Sequence, residues 1–321
     1  ADGTPAEASC AQHQEIALEA AQDGIVLLKN ENQVLPLSGT DSVVVTGMFA
    51  DSKVKPKYSI ASPDGVDLAG LTFLEGLRII QPDAEKLSYA PELSGKRVIL
   101  QDKASGKYWM KGSSNNVYAG ADDKAAAAKF QVYDWGQDSF SFCDEQAQYF
   151  LGIEGGAAVM SPRDKAATPP CFTYEPAEDT DKYIRYGAII TDPAARVRSD
   201  LPYYKFYTTQ GNFLQVDQET SAVVLGEAVT SGYERAPRYT ETVIRRAGEG
   251  IESYTGKCNK ALVFIGADPF IFASESTDRP RLAIGQDQIN LVNKVADTFP
   301  GNTIVVVNSC YVIGIDEIKN N

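Results

Sequence analysis

Four side chains that can carry or steer a proton, Asp268, Glu275, Asp278 and Arg279, fall within the stretch "DPFIFASESTDRPRL". A carboxyl group beside Phe270, Ile271 and Phe272 is a candidate general acid, because an apolar setting keeps it protonated towards neutral pH. Pro269 and Pro280 bracket the segment and stiffen its ends. From the residues alone Glu275 has a second reading, a solvated charge paired with Arg279 four positions on. Asp278 and Arg279 read as a pair that shapes the loop or touches a polar ligand. Asp268 reads as a strand-end turn residue.

Other chemistries find less support. The single histidine, His13, lies on a helical pattern away from its apolar residues, which argues against a Ser-His-Asp triad and against His-rich metal sites. The five cysteines, at 10, 143, 171, 258 and 310, contain no CxxC pair, so their spacing is not that of a zinc site. Neither GxGxxG nor GxxxxGK[ST] occurs, so no nucleotide loop is expected. A net charge of −13 argues against nucleic acid or an anionic membrane surface as partner. No apolar run reaches the roughly 18 residues of a membrane span.

The elements that must position the acidic loop are legible by period. Residues 12–28 carry apolar residues at helical spacing. "DSVVVTGMFA" reads as a buried strand reaching a loop. A helix follows, with Leu71, Leu74, Leu77 and Ile80 on one stripe, stopped near Pro82 and leading to a short strand. At the far end "TETVIRRAGEGIESYTG" reads as a helix, "KALVFIGADP" as a strand, "GQDQINLVNKVADTF" as a helix and "NTIVVVNSC" as a buried strand. The expectation is an α/β layer with a mostly parallel sheet. Ligands of such sheets sit off the carboxyl ends of the strands, where residues 267–279 fall.

Between about 94 and 230 the helical period gives way to short aromatic-rich runs punctuated by Gly, Asn, Asp and Ser, an all-β composition. A loose pattern recurs at Gly106-Lys107-Tyr108, Gln148-Tyr149-Phe150, Asp181-Lys182-Tyr183 and Gly211-Asn212-Phe213. The expectation is a β-trefoil-like domain over 94–230, inserted into an α/β sandwich formed by 1–93 and 231–321.

Three stretches in order, "HQEIALEAAQDGIVLLKNENQVLPL", "VVVTGMFAD…FLEGLR" and "ALVFIGADP…ESTDRPRLAIGQDQINLV", resemble the α/β sandwich domain of glycoside hydrolase family 3. "VILQDKASGKYW" and "KFQVYDWGQDSFSF" resemble a fascin-like or trefoil-like insert of bacterial β-xylosidase or β-glucosidase members. The resemblance implies an exo-acting retaining β-glycosidase acting on terminal non-reducing sugars of plant-type oligosaccharides. It implies that Glu275 is the acid/base and that the nucleophile, an Asp, sits on a (β/α)8 barrel outside this chain, on the same polypeptide or a partner. No cofactor and no metal are implied. The alternative is a non-catalytic carbohydrate-binding or structural module.

Three further expectations follow. The chain lacks a starting Met and stops at "GIDEIKNN", so it reads as a piece of a longer polypeptide, whose compartment is left open between a secreted and a cytoplasmic bacterial setting. Asp134, in "YDWG", reads as structural rather than as the nucleophile. Trp109 and Trp135 are candidates for sugar stacking, weighed against filling the core of a small β domain, which their alternating runs favour.

Overall fold

The computed structural model describes residues 11–53, 70–136, 139–165, 169–176, 181–186, 212–228, 237–268, 271 and 282–319. The chain divides into two compact units, Ala1–Ser38 and Gly39–Asn321. In the first, helix α1 (Ala11–Asp23) stops short of the expected 28. Gly24 is a poor helix former and the β-branched Ile25 and Val26 follow it. The turn beyond is held by Asn30, whose side chain donates to Leu35 O at 3.0 Å and accepts from Leu35 N–H at 3.1 Å.

The second unit runs β1 (Val43–Thr46), α2 (Phe73–Ile80), β2 (Leu87–Tyr89), then β3 (Lys96–Asp102), β4 (Tyr108–Lys111), β5 (Val117–Ala121), β6 (Phe130–Gly136), β7 (Ser139–Cys143), β8 (Tyr149–Glu154), β9 (Ala157–Pro162), β10 (Phe172–Pro176), β11 (Asp181–Tyr186), β12 (Asn212–Val216), β13 (Val223–Ala228) and β14 (Tyr239–Arg245). It ends with β15 (Lys260–Gly266), α3 (Gln286–Thr298), β16 (Thr303–Asn308) and α4 (Asp316–Lys319). The class is α/β, but the parallel part is the smaller one. Strands β16-β15-β1-β2 form a parallel sheet of four, and β3 to β14 form an antiparallel sheet of twelve.

In the parallel sheet β1 is buried throughout and β15 at every residue after Lys260, as strands covered on both faces must be. The "NTIVVVNSC" strand differs from expectation. As β16 it is the outer strand of the described sheet, and only Ile304 is fully buried. The predicted stripe on α2 also reduces to one buried residue, Leu74. Leu71 and Ile80 are exposed, and Phe73 stacks on Phe264 at 4.9 Å. The helix begins in a reciprocal cap: Thr72 Oγ1 accepts from Glu75 N–H, and Glu75 accepts from Thr72 N–H.

The twelve antiparallel strands repeat one pairing scheme three times. In β3–β6, β7–β10 and β11–β14 the first strand of each set pairs with the second and the fourth, and the second pairs with the third. The pairs β6–β7, β10–β11 and β14–β3 link the sets, so β3, β6, β7, β10, β11 and β14 close into a ring. The three remaining hairpins touch one another through Asn116–Val159, Tyr118–Ala222 and Val224–Ala157. Each of the twelve strands contributes to one apolar core, which includes Leu100, Trp109, Phe142, Phe172, Leu214 and Tyr239.

The expected helix over "TETVIRRAGEGIESYTG" is corrected. Its first half is β14, paired with β3 along its length and with β11 at its start. Thr240, Thr242, Val243 and Ile244 suit a strand; beyond Gly248 and Gly250, at φ +80° and +99°, the expected helix is reduced to a short 3₁₀ turn, Ile251–Tyr254. A slot between two strands overrode a local helical period.

Candidate functional site

Glu275, Asp278 and Arg279 lie outside the described residues. The structure does describe both anchors of their loop. On the entry side, β15 ends at Gly266, where a Cβ would meet Asn308 O at 1.8 Å. Only glycine allows that approach of two backbones. Gly266 N–H donates to Gln288 Oε1 at 2.9 Å, and Ala267 N–H donates to Asn308 O at 3.0 Å. Ile271 is buried and donates its N–H to Asp268 O at 3.2 Å, which gives Asp268 the turn position its sequence suggests. On the return side, Leu282 O accepts from Gly314 N–H at 2.8 Å, and Ala283 forms a parallel bridge with Gly314.

The antiparallel domain reaches this edge. Asp268 lies close enough to Cys171 for its charge to be felt by the thiol. That thiol is pushed up to about 12, first by burial and further by Asp268, against a hydrogen bond to Ser141. Nearby, Asp134 at the end of β6 meets the N-terminus of α3. Its Oδ1 accepts from Gly136 N–H at 2.8 Å and its Oδ2 from Asp287 N–H at 3.3 Å. Gln288 Nε2 donates to Asp134 O at 3.1 Å. Gln288 therefore links the end of β15 to the end of β6. Gly285 permits the contact, since a Cβ there would meet Asp134 O at 2.2 Å. Burial raises the Asp134 carboxyl, against bonds from the backbone of Gly136, Asp287 and Gln286. Burial, then the Asp134 charge, raises Asp287 to about 6.

A second contact lies at the end of β1. There Gly47, at φ +103°, lets the chain pass Phe264 O, which a Cβ would meet at 2.0 Å. Lys165 Nζ bonds Asp51 Oδ1 at 2.8 Å, Thr72 Oγ1 donates to the same oxygen at 3.0 Å, and Lys53 N–H donates to Lys165 O at 2.8 Å. Phe49 meets Trp135 edge-on at 5.8 Å. The carboxyl edge of the parallel sheet is thus lined on two sides by the antiparallel domain.

Neither tryptophan offers a face to a sugar. Trp109 is fully buried between Phe130 and Tyr239, with ring centroids 6.0 and 5.0 Å away. Trp135 is 2% exposed, packs on Tyr133 and Phe49, and donates from Nε1 to Ser141 Oγ at 2.9 Å. Core packing explains both rings. Asp134 serves structure, as its sequence suggests, by capping a helix of the other layer. Gly285, Asp287 and Gln288 were legible only as a helix start; the one signal in "GQDQ" was a helix entered through glycine, without a capping side chain of its own. Among the described residues no group of three or more His, Cys, Asp or Glu is placed to hold a metal ion, and no helix is long and apolar enough to cross a membrane.

A parallel α/β layer whose strands end at glycines is an architecture in which ligands generally sit off the carboxyl ends of the strands. The profile described as glycosyl hydrolase family 3 C-terminal domain matches residues 25–321, and the chain belongs to that family. Among solved structures it is similar to a selenomethionine-labelled β-glucosidase from Kluyveromyces marxianus, at 18% identity and TM-score 0.42, over 97% of this chain and 36% of that one. A β-glucosidase from the same organism in complex with glucose matches at 15% identity and TM-score 0.41, over 98% and 38%. SeviL bound to asialo-GM1 saccharide matches at 9% identity and TM-score 0.31, over 47% of this chain and 99% of that one. The chain spans well under half the length of the two β-glucosidase chains. No curated protein matches it.

Proposed function

We propose that this chain is the accessory lobe of an exo-acting retaining β-glycosidase of β-glucosidase or β-xylosidase type, with Glu275 as the acid/base. The observation that carries the reading is family membership over residues 25–321, joined to the position of the 268–282 loop off the carboxyl end of β15. Retention needs a second carboxylate about 5–5.5 Å from the acid across the scissile bond. A (β/α)8 barrel, on the same polypeptide or a partner, supplies it and most of the sugar pocket. Asp278 and Arg279 shape the loop beside the substrate. The substrate is the terminal non-reducing sugar of a plant-type oligosaccharide.

The α/β layer is interrupted by a domain that we read as a β-trefoil. The threefold pairing scheme, the closed ring and the three touching hairpins support that reading, with β14 joining the strands of 94–230 through its pairing with β3. Both tryptophans being buried favours a structural role for this domain over a sugar-binding one.

The test uses the complete polypeptide that carries this chain and a barrel. Glu275→Gln is expected to lower kcat on an unactivated aryl or alkyl β-glycoside by about 10²–10⁴-fold. A dinitrophenyl glycoside, whose leaving group departs without a proton, is expected to lose far less in the glycosylation step. Unchanged rates on both substrates reject the assignment.

A further inference from the structure

Strand β1 ends at Thr46, opposite Val263, while β15 runs on beside β16 as far as Gly266. Past Val263 the N–H groups of β15 that face β1 therefore lose their strand partner. Ala267 N–H still finds Asn308 O on the β16 side. Gly266 N–H points the other way and finds a side chain, Gln288 Oε1 at 2.9 Å. We propose that Gln288 is a positioning residue for the acid/base loop, a role that rests on the reading of the 268–282 loop as the carrier of Glu275. It fixes the point at which the chain leaves β15 and sets that point against the antiparallel domain.

A buried amide is costly unless both of its ends are satisfied. Gln288 is 1% exposed, and its α3 neighbours Ile289, Leu291 and Val292 are buried with it. An apolar side chain would suit that face without any polar requirement. The amide instead meets two backbone groups of other elements: Oε1 accepts from Gly266 N–H, and Nε2 donates to Asp134 O at 3.1 Å. One partner is a donor and the other an acceptor, so a single orientation of the amide satisfies both. At its base, Gln288 N–H donates to Gly285 O at 3.0 Å. The side chain is held at both ends on a packed helix, and the strand end it grips is held from the opposite side by β16. Precise sites are built from such supports on rigid elements.

Gly266 is itself buried. Without Gln288 its N–H is a buried donor lacking an acceptor, a penalty that the chain relieves by moving. The start of the loop then shifts, and the acid with it. A general acid works only within hydrogen-bond reach of the oxygen it protonates, so a displacement of this size falls on proton donation. Contacts to the bound sugar that come from the barrel are left as they were. The loss therefore belongs in kcat for poor leaving groups and not in KM. Asp134 lies at the end of β6, so this amide also gives the antiparallel domain a hold on the loop, independent of any sugar contact by its buried tryptophans.

The test uses the complete polypeptide that carries this chain and a barrel, with Gln288→Met, which keeps the bulk of the side chain and removes both bonds. On an unactivated β-glycoside kcat is expected to fall by about 10–10²-fold with KM little changed. The glycosylation step of a dinitrophenyl glycoside is expected to be nearly unaffected. The ratio of the two rates does not depend on how much enzyme is folded, so plain loss of stability does not produce this pattern. In hydrogen exchange the Gly266 amide is expected to lose its protection. An equal fall on both substrates, or no fall on either, overturns the positioning role, and so does a Gly266 amide as protected as in the parent. Should Gln288→Met fail to fold, Gln288→Glu, which keeps the acceptor for Gly266 and loses the donor to Asp134 O, is read by the same ratio and the same amide. Glu275→Gln, run beside it, separates the two readings. A selective fall in the Gln288 variant with none in Glu275→Gln keeps the positioning role and moves the acid to another group of the loop; the reverse keeps Glu275 and rejects Gln288.

Discussion

The two sheets of the larger unit bury their strands in opposite ways. In the parallel sheet β1 and β15 are covered on both faces, so nearly every residue from Ala261 to Gly266 is apolar and inaccessible. In the antiparallel sheet the outer strands alternate; β5 buries Val117, Ala119 and Ala121 and turns Tyr118 and Gly120 outward. The parallel layer builds its core from β1, β15 and the buried face of α3, including Val44, Val263, Leu291 and Val295. The antiparallel domain builds one core from residues given by all twelve strands, and closes its own edge through β14 and β3. The difference teaches where adaptability lies. The antiparallel sheet closes on itself, and the two layers meet at the strand ends: Asp134 with α3, Lys165 with Asp51, and Phe49 with Trp135.

The largest expected effect tests whether the antiparallel core is one body. Trp109→Ala removes its largest fully buried side chain and should cost about 3–5 kcal/mol, read from urea unfolding. Loss of a transition belonging to the antiparallel domain, with signals from the parallel layer kept, supports two separable cores; joint collapse would break the comparison. The junction comes next. Gly285 has φ −60°, a conformation any residue adopts, so Gly285→Ala acts through space alone, by driving a Cβ into Asp134 O. Overpacking of this kind costs about 1–3 kcal/mol, and hydrogen exchange should rise at the start of α3 and the end of β6. Retained protection there would show that the two regions do not rely on this contact. The smallest change is Thr72→Ala. It removes the cap of α2 and a bond to Asp51, for about 1 kcal/mol, and a chemical denaturation midpoint lowered with unchanged slope is the expected reading.

Much of this was legible because local patterns are cheap to state. The β-branched runs at 43–46 and 261–265 and the apolar period of 286–298 each name their element without help from the rest of the chain. The threefold scheme was half legible. Tyr108, Tyr149 and Phe213 do stand at or next to the start of the second strand in each set, but Tyr183 belongs to a first strand. The spacing between repeats stretches from 41 to 64 residues (149 − 108 and 213 − 149) across the segment between β11 and β12. A stretched period is hard to recognise one sequence at a time. The 239–245 segment was misread because arginine, glutamate and alanine nearby carry helical propensity, a weak prior that two waiting strand partners outweighed.

By itself the sequence determined the α/β class of the outer segments, the all-β character of the middle and the resemblance to the family. Those depend on composition and near-neighbour spacing, which the chain carries in plain order. Only the tertiary structure decided that Trp109 and Trp135 are core rather than platform, that β14 completes a ring with β3, and that Asp134 caps a helix 153 positions away in the chain. Each of these depends on which surfaces meet after folding. Burial and desolvation act on a group through its neighbours in space, which for these residues are not its neighbours in sequence.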